Sequence, residues 1–332
     1  MDPEGPNVVG LDVGTSRIVS ARCQAADILF GIQLNAFTTI PFSKLTEDVL
    51  KKERIPYMLQ DSEIIVYGDE SERFANLFHT ETRRPMRRGV LNPDESGNTA
   101  LVREIVNLVT GEKRGHGQKL CFSVPAAPLG AGQEVMAHQA QMTKMLTDLG
   151  YEVRCIPEGL AVVYGELESS SYTGIGISCG GGLCNICLSY LSVPVFSFSI
   201  PKAGDFIDAS SASVTGERPN RIRMLKEQSF FLNGHFVNKI HQALSNYYDD
   251  MIQALVAALK DQFASVQNMP KLNRPIPLVL SGGSVMPPGF RDRFEKSLRE
   301  IELPVAIAEV RMASNPMVST ARGALVAALS EL

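Results

Sequence analysis

The sequence predicts an α/β fold in which one mixed plan occurs twice, once in each half of the chain. Two glycine-bearing segments carry this prediction, because each reads as a strand, a tight glycine turn and a second strand: Gly10–Arg17 and Ile177–Leu188. Each is followed by a further strand, a variable segment and then α-β units, which is typical of mixed α/β proteins. The 332 residues suffice for about two domains.

The elements of the first half follow from hydrophobic periodicity and turn residues. Strands are predicted at Val8–Val13, Arg17–Gln24, Ile28–Phe37, Glu63–Tyr67, Lys119–Val124 and Val153–Ile156. Helices are predicted at Ser71–Phe78, Asn98–Val109, Gln133–Leu149 and Leu160–Leu167. The segment Phe42–Leu59 is mixed and polar, and we assign it no element.

The second half repeats this order after the second glycine turn. Strands are predicted at Gly174–Ser178, Leu183–Tyr190, Val193–Ile200, Leu278–Leu280 and Val305–Ala308. Helices are predicted at Phe236–Phe263, Phe290–Leu298 and Met317–Leu329, the first with apolar residues every three or four positions. The segment Phe206–Leu232 reads as irregular and polar at its centre.

Charge and composition exclude some classes of partner. The net charge is −4, which indicates no general attraction to nucleic acid or anionic lipid. The local exception, Arg83, Arg84, Arg87 and Arg88, is interpreted as a solvated basic corner. No apolar stretch is long enough to span a bilayer.

The six cysteines predict reduced, buried thiols in a cytoplasmic protein, since the N-terminal residues are polar and lack a secretory apolar segment. Cys184 and Cys187 have the spacing of a metal-binding pair. A zinc site needs about four ligands, and neither a second pair nor a nearby histidine accompanies them. Residues three apart in a strand also point to opposite faces, so we predict no metal here.

The paired glycine turns indicate the chemistry. A glycine turn lets backbone N–H groups approach a phosphate with no side chain in the way. One such turn is weak evidence, because glycine turns connect many hairpins. Two of them, opening two halves of one chain, predict a phosphate tail held between two related domains.

Five segments together resemble the signatures of the actin-like ATPase superfamily, which includes bacterial actins, the ATPase domain of large heat-shock chaperones and sugar kinases. They occur in the family's order across nearly the whole chain: Gly10–Arg17, Ile156–Gly165, Gly176–Leu188, Leu278–Pro287 and Ser314–Ala328. They are similar, respectively, to the first phosphate loop, the first connecting helix, the second phosphate loop, the adenosine loop and the second connecting helix.

Within the superfamily the chain resembles most the filament-forming bacterial branch of MreB and MamK. Three segments carry this: Arg84–Val90, Lys202–Asp208 and Lys226–Phe231. The resemblance implies two actin-like domains, each with a mixed sheet of five-stranded type and flanking helices, around a nucleotide cleft. The domains would span 1–157, with a small insertion at about 31–85, and 158–332, with a shortened insertion at about 206–265.

The resemblance also implies roles for individual residues, with ATP or ADP and Mg²⁺ as ligands. Asp12 would hold Mg²⁺ through water, and Glu158 would orient the attacking water. The nucleotide contacts would come from three loops and one lysine near the adenosine: Gly14, Thr15, Ser16, Arg17, Gly180, Gly181, Gly182, Lys226, Gly282, Gly283 and Ser284. Two simpler roles stay open, a turn-capping carboxylate for Asp12 and a dipole-favoured helix-start glutamate for Glu158.

The second phosphate loop departs from the family's pattern. Relatives usually begin it with Asp-x-Gly and continue with Gly-Thr-Thr, whereas this chain has Ser178, Leu183 and Cys184 at those places. A serine cannot supply the charge that fixes a magnesium-bound water. Losing one positioned charge costs a few kcal/mol of barrier, about a hundredfold in rate. We therefore expect ATP binding with slow hydrolysis, at most a weak ATPase.

A second departure lies between Leu232 and Phe236, where relatives carry an extra strand hairpin in the small subdomain that contributes to longitudinal filament contacts. Either the filament contact is remodelled here, or the chain does not polymerise in the usual way. Three functions therefore stay open: a cytoskeletal protein that assembles head-to-tail in a nucleotide-dependent way, an actin-like adaptor that binds nucleotide and recruits partners, and a small-molecule kinase.

The sequence favours the first function over the other two. Against the kinase stands the lack of an acceptor-binding insertion. Against the adaptor stands the lack of a terminal amphipathic helix or extra domain. Membrane contact through exposed apolar residues such as Phe42 and Leu129 has no support, because single exposed apolar residues are normal.

Overall fold

The computed structural model describes residues 7–25, 27–111, 117–127, 133–267, 269–272 and 274–330. Within this part of the chain it contains two mixed five-stranded sheets, each carrying helices. The predicted α/β class with a duplicated plan is therefore confirmed. Leu129 lies outside the described residues.

The first sheet has the order β10-β9-β1-β2-β3. Its central strand β1 pairs antiparallel with β2 and parallel with β9. The elements up to the end of this sheet are β1 (Val8–Val13), β2 (Arg17–Gln24), β3 (Asp27–Leu34), β4 (Phe37–Pro41), α1 (Lys44–Glu53), β5 (Tyr57–Gln60), β6 (Glu63–Tyr67), α2 (Glu70–Phe78), β7 (Met86–Arg87), β8 (Val90–Leu91), α3 (Asn98–Thr110), β9 (Gln118–Val124), α4 (Gln133–Asp148) and β10 (Tyr151–Pro157).

The second sheet has the equivalent order β13-β12-β11-β14-β15. Strand β11 pairs antiparallel with β12 and parallel with β14, as β1 does with β2 and β9. Its elements are α5 (Glu158–Glu166), β11 (Gly174–Cys179), β12 (Cys184–Tyr190), β13 (Val193–Ile200), α6 (Gly204–Thr215), α7 (Pro219–Ser229), α8 (Lys239–Ser265), β14 (Ile276–Ser281), α9 (Phe290–Arg299), β15 (Ile307–Met312) and α10 (Ser319–Leu329).

Segments inserted after each sheet's third strand fold differently from the sequence prediction. Phe42–Leu59 contains α1 and β5, and β4, β6 and β5 form a three-stranded sheet. Phe206–Leu232, predicted to be irregular, contains helices α6 and α7. The long helix α8 begins at Lys239, three residues later than predicted, because the Asn238 side chain accepts a hydrogen bond from the His241 N–H and caps it.

Helices α5 and α10 tie the two sheets together. Helix α5 follows a strand of the first sheet but packs on β11 and β12 of the second, whereas α10 follows β15 and packs on β1 and β9. The two helices cross where glycines allow close approach: a Cβ on Gly323 would lie 1.7 Å from the Ala161 carbonyl oxygen. The chain therefore crosses between the sheets twice.

None of the six cysteines, all of which lie in the described part of the chain, forms a disulfide. Cys184 packs in the core under the second sheet, whereas Cys187 packs with α5 and α10. Their side chains thus lie on opposite faces of β12, as predicted. Contrary to the prediction of buried thiols, Cys155 is exposed and Cys23 is half-buried.

The basic corner consists largely of paired side chains. Arg83 pairs with Glu95 and Arg87 with Asp94, at 3.3 Å and 2.7 Å. These pairs support the interpretation as a solvated surface for Arg83 and Arg87. Arg84 does not fit it, since this side chain is half-buried and lies 2.6 Å from the Asp205 carboxylate in the cleft wall. Among the described residues, no helix is both long and apolar enough to cross a membrane.

Candidate functional site: a cleft between the two sheets

The two glycine turns have the same geometry and face one cleft of about 700 Å³. The Gly14 N–H donates to the Arg17 carbonyl at 3.0 Å, and the Gly180 N–H donates to the Leu183 carbonyl at 3.0 Å. Each bond closes a tight turn at the end of the central strand of its sheet.

Neighbouring groups fix the backbone of both turns. Buried Asn35 donates from its side chain to the Gly14 carbonyl at 2.9 Å. In the second turn the Gly180 carbonyl accepts from the Gly204 N–H and from the Ser284 hydroxyl, at 3.1 Å and 2.8 Å. The turns are therefore held in place by contacts within the protein.

The two turns also approach each other across the cleft. A Cβ on Gly181 would lie 2.1 Å from the Ser16 hydroxyl oxygen, and one on Gly182 would lie 2.5 Å from that of Thr15. A Cβ on Gly182 would also lie 2.8 Å from the backbone nitrogen of Gly89, which no side-chain rotation can move. Close approach of the backbone therefore requires glycine at position 182.

The sequence-predicted residues converge on this cleft although they come from separate segments. All thirteen line it: Asp12, Gly14, Thr15, Ser16, Arg17, Glu158, Gly180, Gly181, Gly182, Lys226, Gly282, Gly283 and Ser284. Gly282 adopts φ +93° and its N–H donates to the Pro316 carbonyl at 2.9 Å. A Cβ there would lie 2.3 Å from the Cys179 carbonyl oxygen, so this third loop packs directly on β11.

Lys226 is buried at the cleft wall. Its ammonium group lies 2.7 Å from the Asp208 carboxylate and donates to the Gly204 carbonyl at 3.2 Å. Burial raises the pKa of Asp208, while the nearby Lys226 charge opposes this shift. The lysine thus balances a buried carboxylate in addition to lining the cleft.

Three carboxylates in the cleft lining are paired with cations: Asp205 with Arg84, Asp208 with Lys226 and Glu227 with Arg17. The carboxylates of Asp12 and Glu158, which also face the cleft, are held differently. Ser123 on β9 donates to Asp12 Oδ1 at 2.6 Å. The Asn185 amide donates to Glu158 Oε2 at 2.9 Å, and the Ser178 hydroxyl lies 3.3 Å from the same oxygen. The neutral donors that hold the two carboxylates leave their negative charge uncompensated.

This charge is reflected in the pKa values of both groups. Burial raises the pKa of Asp12, and the hydrogen bond from Ser123 opposes the shift. Burial also raises the pKa of Glu158, as does repulsion from Asp12, against the hydrogen bonds from Ser178 and Asn185. Glu158 is also the first residue of α5, where the helix dipole favours a carboxylate.

Replacing Glu158 by glutamine is expected to stabilise the nucleotide-free protein at neutral pH. When folding raises the pKa of a carboxyl group, the folded protein becomes less stable as the pH rises above the group's ordinary pKa, which is 4.5 for glutamate. The wild-type free energy of unfolding should therefore fall above that pH more steeply than that of Glu158→Gln, measured by urea unfolding at several pH values. Glu152→Gln, which removes an exposed carboxylate on β10, should follow the wild-type profile; a Glu158→Gln profile parallel to wild type would contradict the expectation.

Four site residues were missed by the sequence analysis: Ser123, Asn185, Asp205 and Asp208. Ser123 reaches Asp12 because β9 lies beside β1 in parallel register. Asn185 is the register partner of Ser178 across β11 and β12, a pairing that the hairpin pattern could have revealed. Asp205 and Asp208 lie in the first turns of α6, most of which falls within Phe206–Leu232, the segment predicted to be irregular.

Comparisons with known proteins agree with this architecture. The sequence model of the Volactin family matches residues 8–328. The chain belongs to the Volactin family. Comparison with the curated proteins finds no match.

Solved structures similar to this member of the Volactin family are actin-like. The MamK double helical filament superposes with a TM-score of 0.74 at 19% identity, covering 98% of both chains. MreB 5 of Spiroplasma citri bound to AMPPNP gives 0.65 at 13%, covering 95% of this chain and 94% of that one. Ethanolamine utilization protein EutJ from Carboxydothermus hydrogenoformans gives 0.53 at 15%, with 96% and 89% covered. At these identities the likeness shows the fold, which is the actin-like fold that the sequence resemblance implies.

Proposed function

We propose that this Volactin is a cytoplasmic, ATP-binding actin-like protein that assembles into filaments and hydrolyses ATP slowly. The convergence of two glycine turns, the third glycine loop and two carboxylates on one cleft carries the proposal. The similar solved structures add support. One is a MamK filament, and a MamK variant and an MreB were solved with AMPPNP bound.

The cleft fits a magnesium-bound nucleotide by its donor chemistry. Mg²⁺ is usually held by one or two carboxylates together with substrate phosphates, and Asp12 and Glu158 face the cleft without a cationic partner in the contacts described above. In the proposed complex Asp12 would hold the ion, and the ion would compensate the charge of the phosphates. Glu158 orients the attacking water, and Ser123 and Asn185 hold the two carboxylates in place.

Ser178 is the reason for proposing slow turnover. Its hydroxyl faces Glu158 and supplies no charge to a magnesium-bound water. Ser178 on β11 lies opposite Ser281 on the parallel strand β14. This end of the second sheet therefore carries hydroxyl groups, whereas the equivalent end of the first sheet carries the Asp12 carboxylate. Nucleotide binding therefore depends on the glycine turns and Asp12, which are present, whereas fast hydrolysis depends on the carboxylate that Ser178 replaces.

Sedimentation with and without ATP, followed by electron microscopy, tests self-assembly. The proposal predicts ordered polymers that depend on nucleotide. A second candidate, the non-polymerising adaptor, is favoured by one observation: the chain runs from Leu232 to α8 at Lys239 with no strand among these described residues. Nucleotide binding without polymer at any nucleotide or salt condition would establish that candidate instead.

Polar contacts across the cleft predict control of nucleotide release. Arg223 on α7 pairs with Glu72 on α2, and Arg17 pairs with Glu227 at 3.2 Å. A partly buried pair of this kind contributes about 1 kcal/mol. Glu72→Gln is therefore expected to speed release of a fluorescent ATP analogue about fivefold in stopped-flow measurements.

The same substitution at Glu70 provides the control. Glu70 also lies on α2, but its partner, Arg73 at 2.6 Å, is on the same helix. Release from Glu70→Gln should match wild type. Equal release rates in all three proteins would contradict the proposed role of the Arg223–Glu72 pair.

A further inference from the structure

An exposed apolar pair projects from the link between α7 and α8. Phe236 and Val237 are 50% and 72% exposed. The link is fixed at its start, where the Leu232 N–H donates to the Pro288 carbonyl at 2.7 Å and Arg293 donates to the Leu232 carbonyl at 2.8 Å. At its end Asn238 caps α8. The pair, which we call the knob, is thus presented on a tethered segment.

A groove of about 220 Å³, lined by apolar residues together with Glu295, Arg299 and Glu309, lies between α9 and β15. Leu298, Ile301, Leu303, Val305 and Ile307 line it. Ala308, also in the lining, is exposed at a bulge in the pairing of β15 with β14. The volume is large enough for an aromatic ring.

The knob and the groove lie at opposite ends of helix α9. Gly289, just before the helix, packs against Asn233 of the link that carries the knob. The groove is lined by Leu298 and Arg299 from the other end. Ten residues of α-helix are about 15 Å long, so the knob of one molecule does not reach its own groove.

The charges of the two surfaces are complementary. The stretch Glu295–Val310 around the groove contains four glutamates against two cationic residues. One of these cations, Arg299, is paired with Glu295, whereas Glu300 and Glu302 are exposed. Residues 233–239 around the knob contain Lys239 and His235 and no acidic residue.

We propose that a second copy of this chain inserts its knob, Phe236 and Val237, into the groove between α9 and β15. This rests on the self-assembly proposed above and names the surfaces that carry it. A contact between two different patches is heterologous, and it repeats without closing unless the rotation forms a ring. The stacking direction would follow α9, with the knob side of one molecule on the groove side of the next.

Two variants that each lose one surface test the contact. Phe236→Glu removes the knob and keeps the groove, whereas Ala308→Trp fills the groove and keeps the knob. Each alone is expected to raise the concentration needed for assembly at least tenfold in sedimentation. Leu45→Glu, which changes the most exposed apolar side chain of the described residues, at 79%, is the matched control and should assemble as wild type does.

Mixing the two variants gives the decisive result. One intact knob and one intact groove remain between them, so analytical ultracentrifugation should show a species of twice the monomer mass and no polymer. A mixture that stays monomeric, or variants that assemble as wild type does, would overturn this contact while leaving self-assembly intact. A wild-type chain that never assembles would overturn both proposals. Unchanged thermal unfolding of both variants checks that they fold.

Discussion

Replacing Ser178 by aspartate is expected to raise the rate of ATP hydrolysis about a hundredfold. The new carboxylate would stand beside Glu158, whose oxygen lies 3.3 Å from the serine hydroxyl. There it supplies the charge that positions a magnesium-bound water, which the hydroxyl cannot. Phosphate release measured under saturating ATP and Mg²⁺ checks this.

The same substitution should destabilise the nucleotide-free protein. A third carboxylate beside Asp12 and Glu158 adds like-charge repulsion in a buried site, so the free energy of unfolding should fall by about 1–3 kcal/mol. Mg²⁺ should reverse part of this loss. Ser178→Asn adds similar volume without charge and should leave the rate near wild type. An unchanged rate in Ser178→Asp, or an equal rise in Ser178→Asn, would contradict the role given to this position.

Replacing Gly323 by alanine is expected to lower the free energy of unfolding strongly, because the added methyl group has the closest approach to backbone of any described glycine. The new Cβ would lie 1.7 Å from the Ala161 carbonyl oxygen and 2.9 Å from its Cα, both backbone atoms that no side-chain rotation can move. Helices α5 and α10 would have to separate. Overpacking of this kind costs about 3 kcal/mol or more, which urea unfolding measures.

Gly216→Ala provides the comparison for this loss. Gly216 differs from Gly323 in both respects: it adopts the left-handed conformation, φ +76°, and a Cβ there meets nothing within 4 Å. Its replacement should cost about 1 kcal/mol from backbone strain alone. If Gly323→Ala lost no more than Gly216→Ala, the close crossing of α5 and α10 would not be what holds the two sheets together.

Much of the fold could be predicted from the sequence because apolar periodicity and turn residues, which are local, determine most strands and helices. The strands that flank each glycine turn alternate or run apolar, and the turns themselves end them. The inserted helices could not be read in this way. Helix α6 is rich in serine, aspartate and β-branched residues, which are weaker helix formers, and α7 is polar along most of its length. Packing of α6 against α8, and of α7 against α6, therefore decides their structure.

The site residues likewise fall into those that could be predicted from the sequence and those that could not. The glycine turns were predictable because turn chemistry is local, whereas Asp12 and Glu158 were assigned through the family resemblance. Ser123 and Asn185 were not predictable, since their contacts with Asp12 and Glu158 depend on which strands are neighbours and in what register. The pairing of Lys226 with Asp208 joins α7 to α6, and it needs both helices to be known.

Calorimetric titration of the protein with ATP and Mg²⁺ tests the central claim most directly. The account predicts saturable binding to wild type, weakened at least tenfold in Gly182→Val, whose side chain would displace Thr15 and the backbone at Gly89 from the second glycine turn. Thermal unfolding shows whether that variant stays folded. No binding heat from wild type, or equal affinity in a folded Gly182→Val, would contradict a nucleotide cleft between the two glycine turns.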